Sequence, residues 1–318
     1  MKKTAMTAAK FAIGVAIILY LVYFVGIAEI YKTITSTNLL YLPLIVVVFV
    51  FSVAMRGLIF KVLLQPHETR EKKFGLLKLA WISVLSWSAG MFTPGKLGEF
   101  SSIYLLKREG VELGTAAAVS LFNKLLTAAT VGLISIFGLL NFLGIKSVLQ
   151  SVEIALIIII LSFVPYLIFA TKLGRIFVKW FIKFLFPMKL DKYENQFHGF
   201  GIEFTNYLIK RKKILFYSLV LNLAWIAVSS WLFQLAFAAV GQPVGFIDVM
   251  LVISIGTTTS FIPVTIGGTG LREASALVFF GKLGISNAAI LGSHLIIAAI
   301  SYTLAGLTAL LFLARKNQ

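Results

Sequence analysis

The 318-residue chain is 59% hydrophobic and only 13% charged, whereas charged residues make up about a quarter of a typical soluble domain. This composition excludes a soluble domain and indicates an integral membrane protein. The absence of cysteine excludes disulfides and thiolate chemistry. The formal net charge of +17 falls in a few clusters, which is typical of membrane topology and predicts no nucleic-acid partner.

Apolar runs long enough to cross a bilayer recur along the chain. About 20 apolar residues in a helix span the hydrocarbon core, and such runs lie around residues 8–30, 39–62, 114–140, 150–171, 213–240 and 286–314. No alternation of period two competes with them, so the predicted fold is all-α. Basic residues precede the first run, and no small-residue cleavage site is present. This favours an uncleaved span over a signal peptide.

Basic residues concentrate in the N-terminus, in 61–78, in 172–213 and at 315–316, and are scarce around 29–38, 141–153 and 241–248. The positive-inside rule then places both termini and the basic segments in the cytoplasm. Six full spans satisfy this arrangement, so the sequence predicts a multi-pass protein of the cell membrane.

Two shorter apolar stretches are broken by proline and glycine. One is "LAWISVLSWSAGMF" followed by "TPGKLGE", and the other is "VMLVISIGTTTSFI" followed by "PVTIGGTGLRE". A full crossing by either would invert the sidedness of every later basic loop, so each is predicted to enter and leave on one side as a re-entrant hairpin. The first is expected to dip in from the cytoplasm and the second from outside.

The two breaks also resemble each other. A shift of 174 residues aligns Glu99 with Glu273, and Gly132 with Gly306, without a gap. The identities are few, but their agreement with the predicted topology is stronger evidence. Each unit is a hairpin, a polar break, a short helix and a full span, and the two units point in opposite directions. This pattern predicts an inverted-topology repeat around a transport site.

We therefore predict a single membrane domain over residues 1–318. The first repeat is expected at about 39–140 and the second at about 213–314. Between them, basic and aromatic residues at helical spacing, beginning with "TKLGRIFVKWFIKFLF", predict cytoplasmic interfacial helices at about 172–212.

The breaks predict a polar cavity at membrane depth. Proline lacks a backbone donor and glycine permits turns, and freed backbone is tolerated in a membrane only inside protein or beside a wet cavity. The short helix after each break begins near a glutamate, and its N-terminal amides suit a phosphate or an acidic group. The residues concerned are Pro94, Lys96, Gly98 and Glu99 in the first break, and Pro263, Gly267, Gly268, Gly270, Arg272 and Glu273 in the second. Simple capping by the glutamates, with Lys96 and Arg272 as their ion partners, is the alternative.

Polar residues also interrupt the spans at Arg56, Asn123, Lys124 and His294. A charge at such depth costs about 2.5–3.5 kcal/mol or more, so it usually faces a partner or a cavity. Snorkelling to the headgroups is the alternative for Arg56, and a helix-to-helix hydrogen bond is the alternative for His294.

These motifs resemble a known family. "AMRGLIFKVLL", "TPGKLGEFSSIYLLKREGVELGTAAAVSLFNK" and "FIPVTIGGTGLREASALVFF" together look like the membrane domain of the lysylphosphatidylglycerol synthase/flippase family. The resemblance implies that Pro94, Gly98, Glu99, Gly267, Gly270 and Glu273 belong to a shared site. It also implies a link to flipping charged or sugar-bearing lipids. The soluble aminoacyl-transferase domain of full-length synthases is absent from this sequence, so we expect no lysyl transfer.

The leading hypothesis is a flippase for an anionic phospholipid or a polyprenyl-phosphate-linked lipid. Arg56, Lys96 and Lys124 would hold the phosphate, and Arg272 and His294 would receive it on the other side. We predict no catalytic residue, metal site or cofactor. The alternatives are an intramembrane lipid-modifying enzyme that uses Glu99, Glu273 or His294 as acid or base, and an accessory partner of a glycosyltransferase or other lipid-processing protein.

Overall fold

The computed structural model describes residues 2–68, 73–144 and 198–316, and this part of the chain is helical without a β-strand. Two 3-10 turns, Gln65–His67 and Leu97–Phe100, accompany the α-helices. The α-helices are α1 Lys2–Val25, α2 Ile27–Thr35, α3 Tyr41–Leu64, α4 Leu76–Met91, α5 Ser101–Arg108, α6 Leu113–Phe142, α7 His198–Ile209, α8 Lys212–Ala239, α9 Phe246–Thr259, α10 Leu271–Lys282 and α11 Asn287–Lys316.

The all-α membrane fold predicted from the sequence is confirmed. Within the described residues, four helical segments are long and apolar enough to cross a bilayer: Tyr41–His67, Leu113–Phe142, Lys212–Ala239 and Asn287–Phe312. They coincide with four of the predicted spans. The predicted span at 150–171 and the predicted interfacial helices as far as residue 197 lie outside the described residues.

The first apolar run is two helices rather than one. Gly26, between α1 and α2, takes a φ of 96°, and the helix axes differ by 85° across it. A residue other than glycine is strained at this φ. Counted as one bent span, the pair raises the membrane-capable total in the described part of the chain from four to five. α2 then packs against α11.

The two broken stretches form short helices. α4 has 16 residues and α9 has 14, so at 1.5 Å per residue each is shorter than the roughly 30 Å hydrocarbon core. α4 packs against α3 and α11, and α9 packs against α8 and α6. The irregular segments that follow them meet, because Pro94 pairs with Ile266 in an isolated antiparallel bridge and Gly267 N donates to Thr93 O at 3.1 Å.

Glycines let each break fold back on the end of the short helix before it. A β-carbon on Gly98 would lie 2.2 Å from the carbonyl oxygen of Ala89, and one on Gly268 would lie 2.2 Å from Ser260 Cβ. Gly268 also has a φ of 80°. No side chain fits at these distances, so the two breaks can close on themselves only with glycine at both positions.

Buried apolar residues of the described chain form three clusters, and the two largest divide at the middle of α3. One includes the segment from Ile59 to Leu64 and packs against α4 to α7, and the other includes the segment from Ile45 to Val53 and packs against α8 to α11. Arg56 lies between them along α3 and is itself buried. The bundle therefore encloses one charged side chain of α3 between its two main apolar clusters.

Candidate functional site

Glu99 is the centre of the first polar cluster. Its Oε2 accepts hydrogen bonds from Lys124 Nζ at 2.8 Å and from Arg56 Nη2 at 3.2 Å. The three side chains are only 10–15% exposed. Arg56 comes from α3, Lys124 from α6 and Glu99 from the 3-10 turn after α4. Three separate elements thus bring two cations onto one carboxylate oxygen, and the Arg56 guanidinium turns to Glu99 rather than to the surface.

Aromatic rings also contact the basic groups. The Arg56 guanidinium carbon lies 5.3 Å from the centre of a Trp225 ring, and Lys124 Nζ lies 4.6 Å from that of Phe261. Lys96 Nζ lies 5.8 Å from the same Phe261 ring. A cation over an aromatic face within about 6 Å is attracted by the ring quadrupole. Phe261 belongs to the second break, so it contacts both Lys96 of the first break and Lys124 of α6.

The backbone around Glu99 is shaped for this position. Lys96 takes a left-handed φ of 55°, which is uncommon for a residue other than glycine, and the Leu97–Phe100 turn follows it. Gly98 N donates to Thr93 Oγ1 at 2.6 Å. Gly90 leaves the space that the side chain of Glu99 fills, since a β-carbon there would lie 2.7 Å from Glu99 Cγ.

A small cavity of about 20 Å³ adjoins the cluster. Ser86 Oγ and Asn123 Oδ1 on its wall are buried and have no hydrogen-bond partner among the described residues. Its lining residues are Arg56, Phe60, Ser83, Ser86, Trp87, Glu99, Phe100, Ser102, Ser120, Asn123 and Lys124. Such a volume holds about one water molecule, so the structure is closed to a lipid headgroup at this point.

Glu273 is the centre of the second polar cluster and is bonded differently. Its Oε2 accepts the backbone N–H of Gly270 at 2.7 Å, which caps α10, and its Oε1 accepts from Arg272 Nη2 at 2.9 Å. Glu273 therefore caps its own helix, as in the alternative interpretation of the two glutamates. Glu99 instead directs its side chain to Arg56 and Lys124.

His294 lies beside this second cluster. It is 1% exposed and its Nδ1 contacts the carbonyl of Ile290 at 2.9 Å. Its ring centre lies 4.9 Å from that of Phe233, and Nε2 has no hydrogen-bond partner among the described residues. The Nδ1 contact stays within α11, so it is not the helix-to-helix hydrogen bond considered as an alternative for this residue.

The structure thus sorts the residues predicted from the sequence into three groups. Those around Glu99 are Arg56, Lys96, Asn123 and Lys124. Those around Glu273 are Gly270, Arg272 and His294. The remaining ones, Pro94, Gly98, Pro263, Gly267 and Gly268, form the backbone of the breaks where these approach each other, and Pro263 is exposed there.

Sequence reasoning missed four residues of the first cluster: Ser86, Gly90, Trp225 and Phe261. Ser86 and Gly90 carried a weak signal, because they lie on the helix that leads into the first break. Trp225 and Phe261 carried none, since an aromatic residue within or next to an apolar helix is ordinary core composition. Among the described residues, no group of three His, Cys, Asp or Glu side chains is placed to hold a metal ion.

Comparison with protein families identifies the family of the chain. No curated protein matches the chain. The family described as the lysylphosphatidylglycerol synthase TM region matches residues 8–309, a range that includes both breaks and both glutamates. The chain therefore belongs to the lysylphosphatidylglycerol synthase transmembrane-region family.

Proposed function

We propose that this protein is a lipid flippase that moves an anionic phospholipid or a polyprenyl-phosphate-linked lipid between leaflets. The observation that carries the proposal is the buried cluster of Arg56, Lys124 and Glu99 beside two helix breaks that touch each other. Buried charges and irregular backbone at membrane depth are costly, and they typically mark substrate or ion pathways.

The helix contacts support two related units, as the predicted repeat requires. In the first set, α3 packs on α4, α4 on α5 and α5 on α6; in the second, α8 packs on α9, α9 on α10 and α10 on α11. Across the sets, α4 packs on α11 and α9 on α6. α6 and α11 have 30 residues each, and their first residues are separated by the same 174 positions that separate Glu99 from Glu273.

Two pairs of hydroxyl side chains also join each short helix to the long helix of the other set. Ser88 Oγ on α4 lies 2.6 Å from Thr308 Oγ1 on α11. Thr258 Oγ1 on α9 lies 2.7 Å from Ser135 Oγ on α6. Ser88 and Thr258 are each the thirteenth residue of their short helix. Each short helix is thus joined near its C-terminal end to the long helix of the other set, which favours two related units.

The chemistry of the first cluster indicates the substrate class. Arg and Lys bind phosphate oxygens through charge-assisted hydrogen bonds. Ser86 and Asn123, whose Oγ and Oδ1 have no partner among the described residues, add neutral polar groups to the same wall. A lipid phosphate would enter between the breaks while its tails stay in the bilayer. The backbone contacts of Pro94 with Ile266 and of Gly267 with Thr93 must open for this to happen.

The test is translocation by the purified protein in liposomes. Fluorescent phosphatidylglycerol is incorporated in both leaflets, and a membrane-impermeant reductant bleaches the outer leaflet. A flippase lets the protected fraction fall below the value in protein-free liposomes, and a variant with Arg56→Met and Lys124→Met should not. Protection equal to that of empty liposomes for phosphatidylglycerol and for a polyprenyl phosphate would refute the proposal.

The same liposomes distinguish the enzyme alternative. Mass spectrometry of their lipids, and of lipids that co-purify with the protein, reveals any chemical change. A new lipid species would favour an intramembrane lipid-modifying enzyme, whereas a change of leaflet without a change of mass favours the flippase. If neither the leaflet nor the mass of the lipid changes, an accessory role beside a glycosyltransferase is favoured.

A further inference from the structure

One oxygen of Glu99 is shared by two cations from different helices. Lys124 Nζ and Arg56 Nη2 both donate to Oε2, at 2.8 Å and 3.2 Å. Lys and Arg use the same charge-assisted hydrogen bonds for phosphate oxygens as for carboxylates. The carboxylate therefore lies where these cations would hold an oxygen of a phosphate ligand.

The two cations keep other partners that do not involve Glu99. Arg56 lies against Trp225 and Lys124 against Phe261. Their helices, α3 and α6, have 24 and 30 residues and belong to the packed bundle. Departure of the carboxylate would leave both cations positioned by these rings and helices.

Glu99 is carried by a different kind of element. It lies on the turn Leu97–Phe100, directly after Lys96 with its left-handed φ of 55°. This segment is joined to the second break by the contact between Gly267 N and Thr93 O. Strained backbone of this sort is often found in segments that switch. Parting of the two breaks therefore moves Glu99 relative to the helices that carry the cations.

Two neutral polar side chains line the cavity beside Glu99. Ser86 and Asn123 are each 4% exposed and line the same cavity as Glu99. Ser86 Oγ and Asn123 Oδ1 lack a hydrogen-bond partner within the described residues, whereas buried polar atoms are normally paired. A serine hydroxyl donates to a phosphate oxygen, and so does an asparagine amide after rotation by 180°.

We propose that Glu99 is an internal counter-ion that occupies a phosphate subsite and is replaced there by the phosphate of the transported lipid. Arg56 and Lys124 are the charged ligands of that subsite. Ser86 and Asn123 are its neutral ligands. The proposal also explains why the cavity beside the cluster measures only about 20 Å³: the carboxylate fills the subsite itself. The ligand class rests on the proposed function, whereas the exchange is a binding property that is measured without transport.

The test is the effect of phosphate on thermal unfolding of the full chain in detergent, at constant ionic strength set with sodium chloride. Glu99→Gln removes the competing carboxylate, so its half-saturating phosphate concentration should be about tenfold lower than that of the wild type, within the usual range of coupling between sites. The matched control is Glu203→Gln. Glu203 also lies between two basic groups, Arg211 at 2.8 Å and His67 at 3.2 Å, and its replacement should leave the phosphate response unchanged.

Two further variants keep the test decisive if Glu99→Gln folds poorly. Glu99→Asp retains the charge but shortens the side chain by one methylene. Its half-saturating phosphate concentration should therefore lie between those of the wild type and Glu99→Gln. Glu99→Gln combined with Arg56→Met should lose the tighter phosphate binding expected of Glu99→Gln alone. A phosphate response of Glu99→Asp and Glu99→Gln equal to or weaker than that of the wild type would overturn the proposal, even for a protein that flips lipids.

The source of the phosphate is assigned by a second probe. Dihexanoyl phosphatidylglycerol and inorganic phosphate are compared on Glu99→Gln at equal concentration. A larger stabilisation by the short-chain lipid assigns the subsite to a lipid headgroup. An equal stabilisation assigns it to free phosphate and refutes the lipid part of the proposal while the exchange stands.

Discussion

Gly90 faces Glu99 so closely that a β-carbon on residue 90 would lie 2.7 Å from Glu99 Cγ. Gly90 is the next-to-last residue of α4, and Glu99 lies beyond the break that follows. The end of the short helix is therefore the wall against which the carboxylate rests. The ion cluster depends on the missing side chain at residue 90 as much as on its charged members.

Gly90→Ala should push the Glu99 side chain away from Arg56 and Lys124. We expect thermal stability in detergent to fall by about 1–3 kcal/mol, the usual cost of overpacking a filled site. The control is Gly132→Ala on α6, where a β-carbon meets no atom within 4 Å. That variant should be neutral or slightly stabilised, since alanine favours the helix. Equal stabilities of the two variants would show that Glu99 does not rest on Gly90.

The pair of Glu99 and Lys124 should show strong energetic coupling. Glu99→Gln alone leaves two buried cations without their counter-ion, which costs about 3 kcal/mol or more in stability. Adding Lys124→Met removes one of these cations, so the double variant should lose less than the sum of the single variants. A double-mutant cycle on thermal unfolding measures this difference, with about 0.5–3 kcal/mol expected.

The exposed pair of Lys78 and Glu109 is the control for that cycle. Its Nζ–Oε2 distance of 3.1 Å is similar, but its side chains are 71% and 36% exposed, so solvent screens the attraction. Lys78→Met and Glu109→Gln should therefore be nearly additive. Additivity at Glu99 and Lys124 as well would mean that the buried contact adds nothing to the folded state.

Much of the fold follows from the sequence because long apolar helices are specified locally. Four predicted spans agree with the membrane-capable helices of the described chain, and the two Pro-Gly segments are indeed breaks that follow short helices. The bend at Gly26 was missed, since an apolar run does not show where two helices change direction. A glycine there was its only local signal.

The residues of the site could be predicted from the sequence, but which of them bond to each other could not. Arg56, Glu99 and Lys124 stand out because charge is rare at membrane depth, yet nothing local says that both cations share one carboxylate. The difference between Glu99 and Glu273 was also hidden, because the motifs around them look alike. Tertiary contacts decide it: Glu99 meets cations from α3 and α6, whereas Glu273 finds Gly270 and Arg272 within its own turn.

That difference predicts unequal effects on transport. Glu99→Gln should nearly abolish lipid translocation, because the internal counter-ion is lost and a bound phosphate is retained. Glu273→Gln should reduce it less, since the glutamine oxygen still accepts the N–H of Gly270 and keeps the cap of α10. Translocation in liposomes is measured alongside melting temperature, with Glu203→Gln as the control. Wild-type rates in both variants would remove the two glutamates from the site.

The inverted arrangement is tested by labelling two equivalent positions, Glu112 and Ser286. Each directly precedes a 30-residue helix, α6 or α11, and 174 positions separate them. Both are exposed, and the chain has no cysteine of its own, so Glu112→Cys and Ser286→Cys each provide a single thiol.

The positive-inside rule places residue 112 in the cytoplasm, and inversion then places residue 286 outside. An impermeant maleimide applied to intact cells should label only Ser286→Cys, and permeabilised cells should show both thiols reactive. Equal labelling in intact cells would mean that α6 and α11 start on the same side, and the two units would then not be inverted.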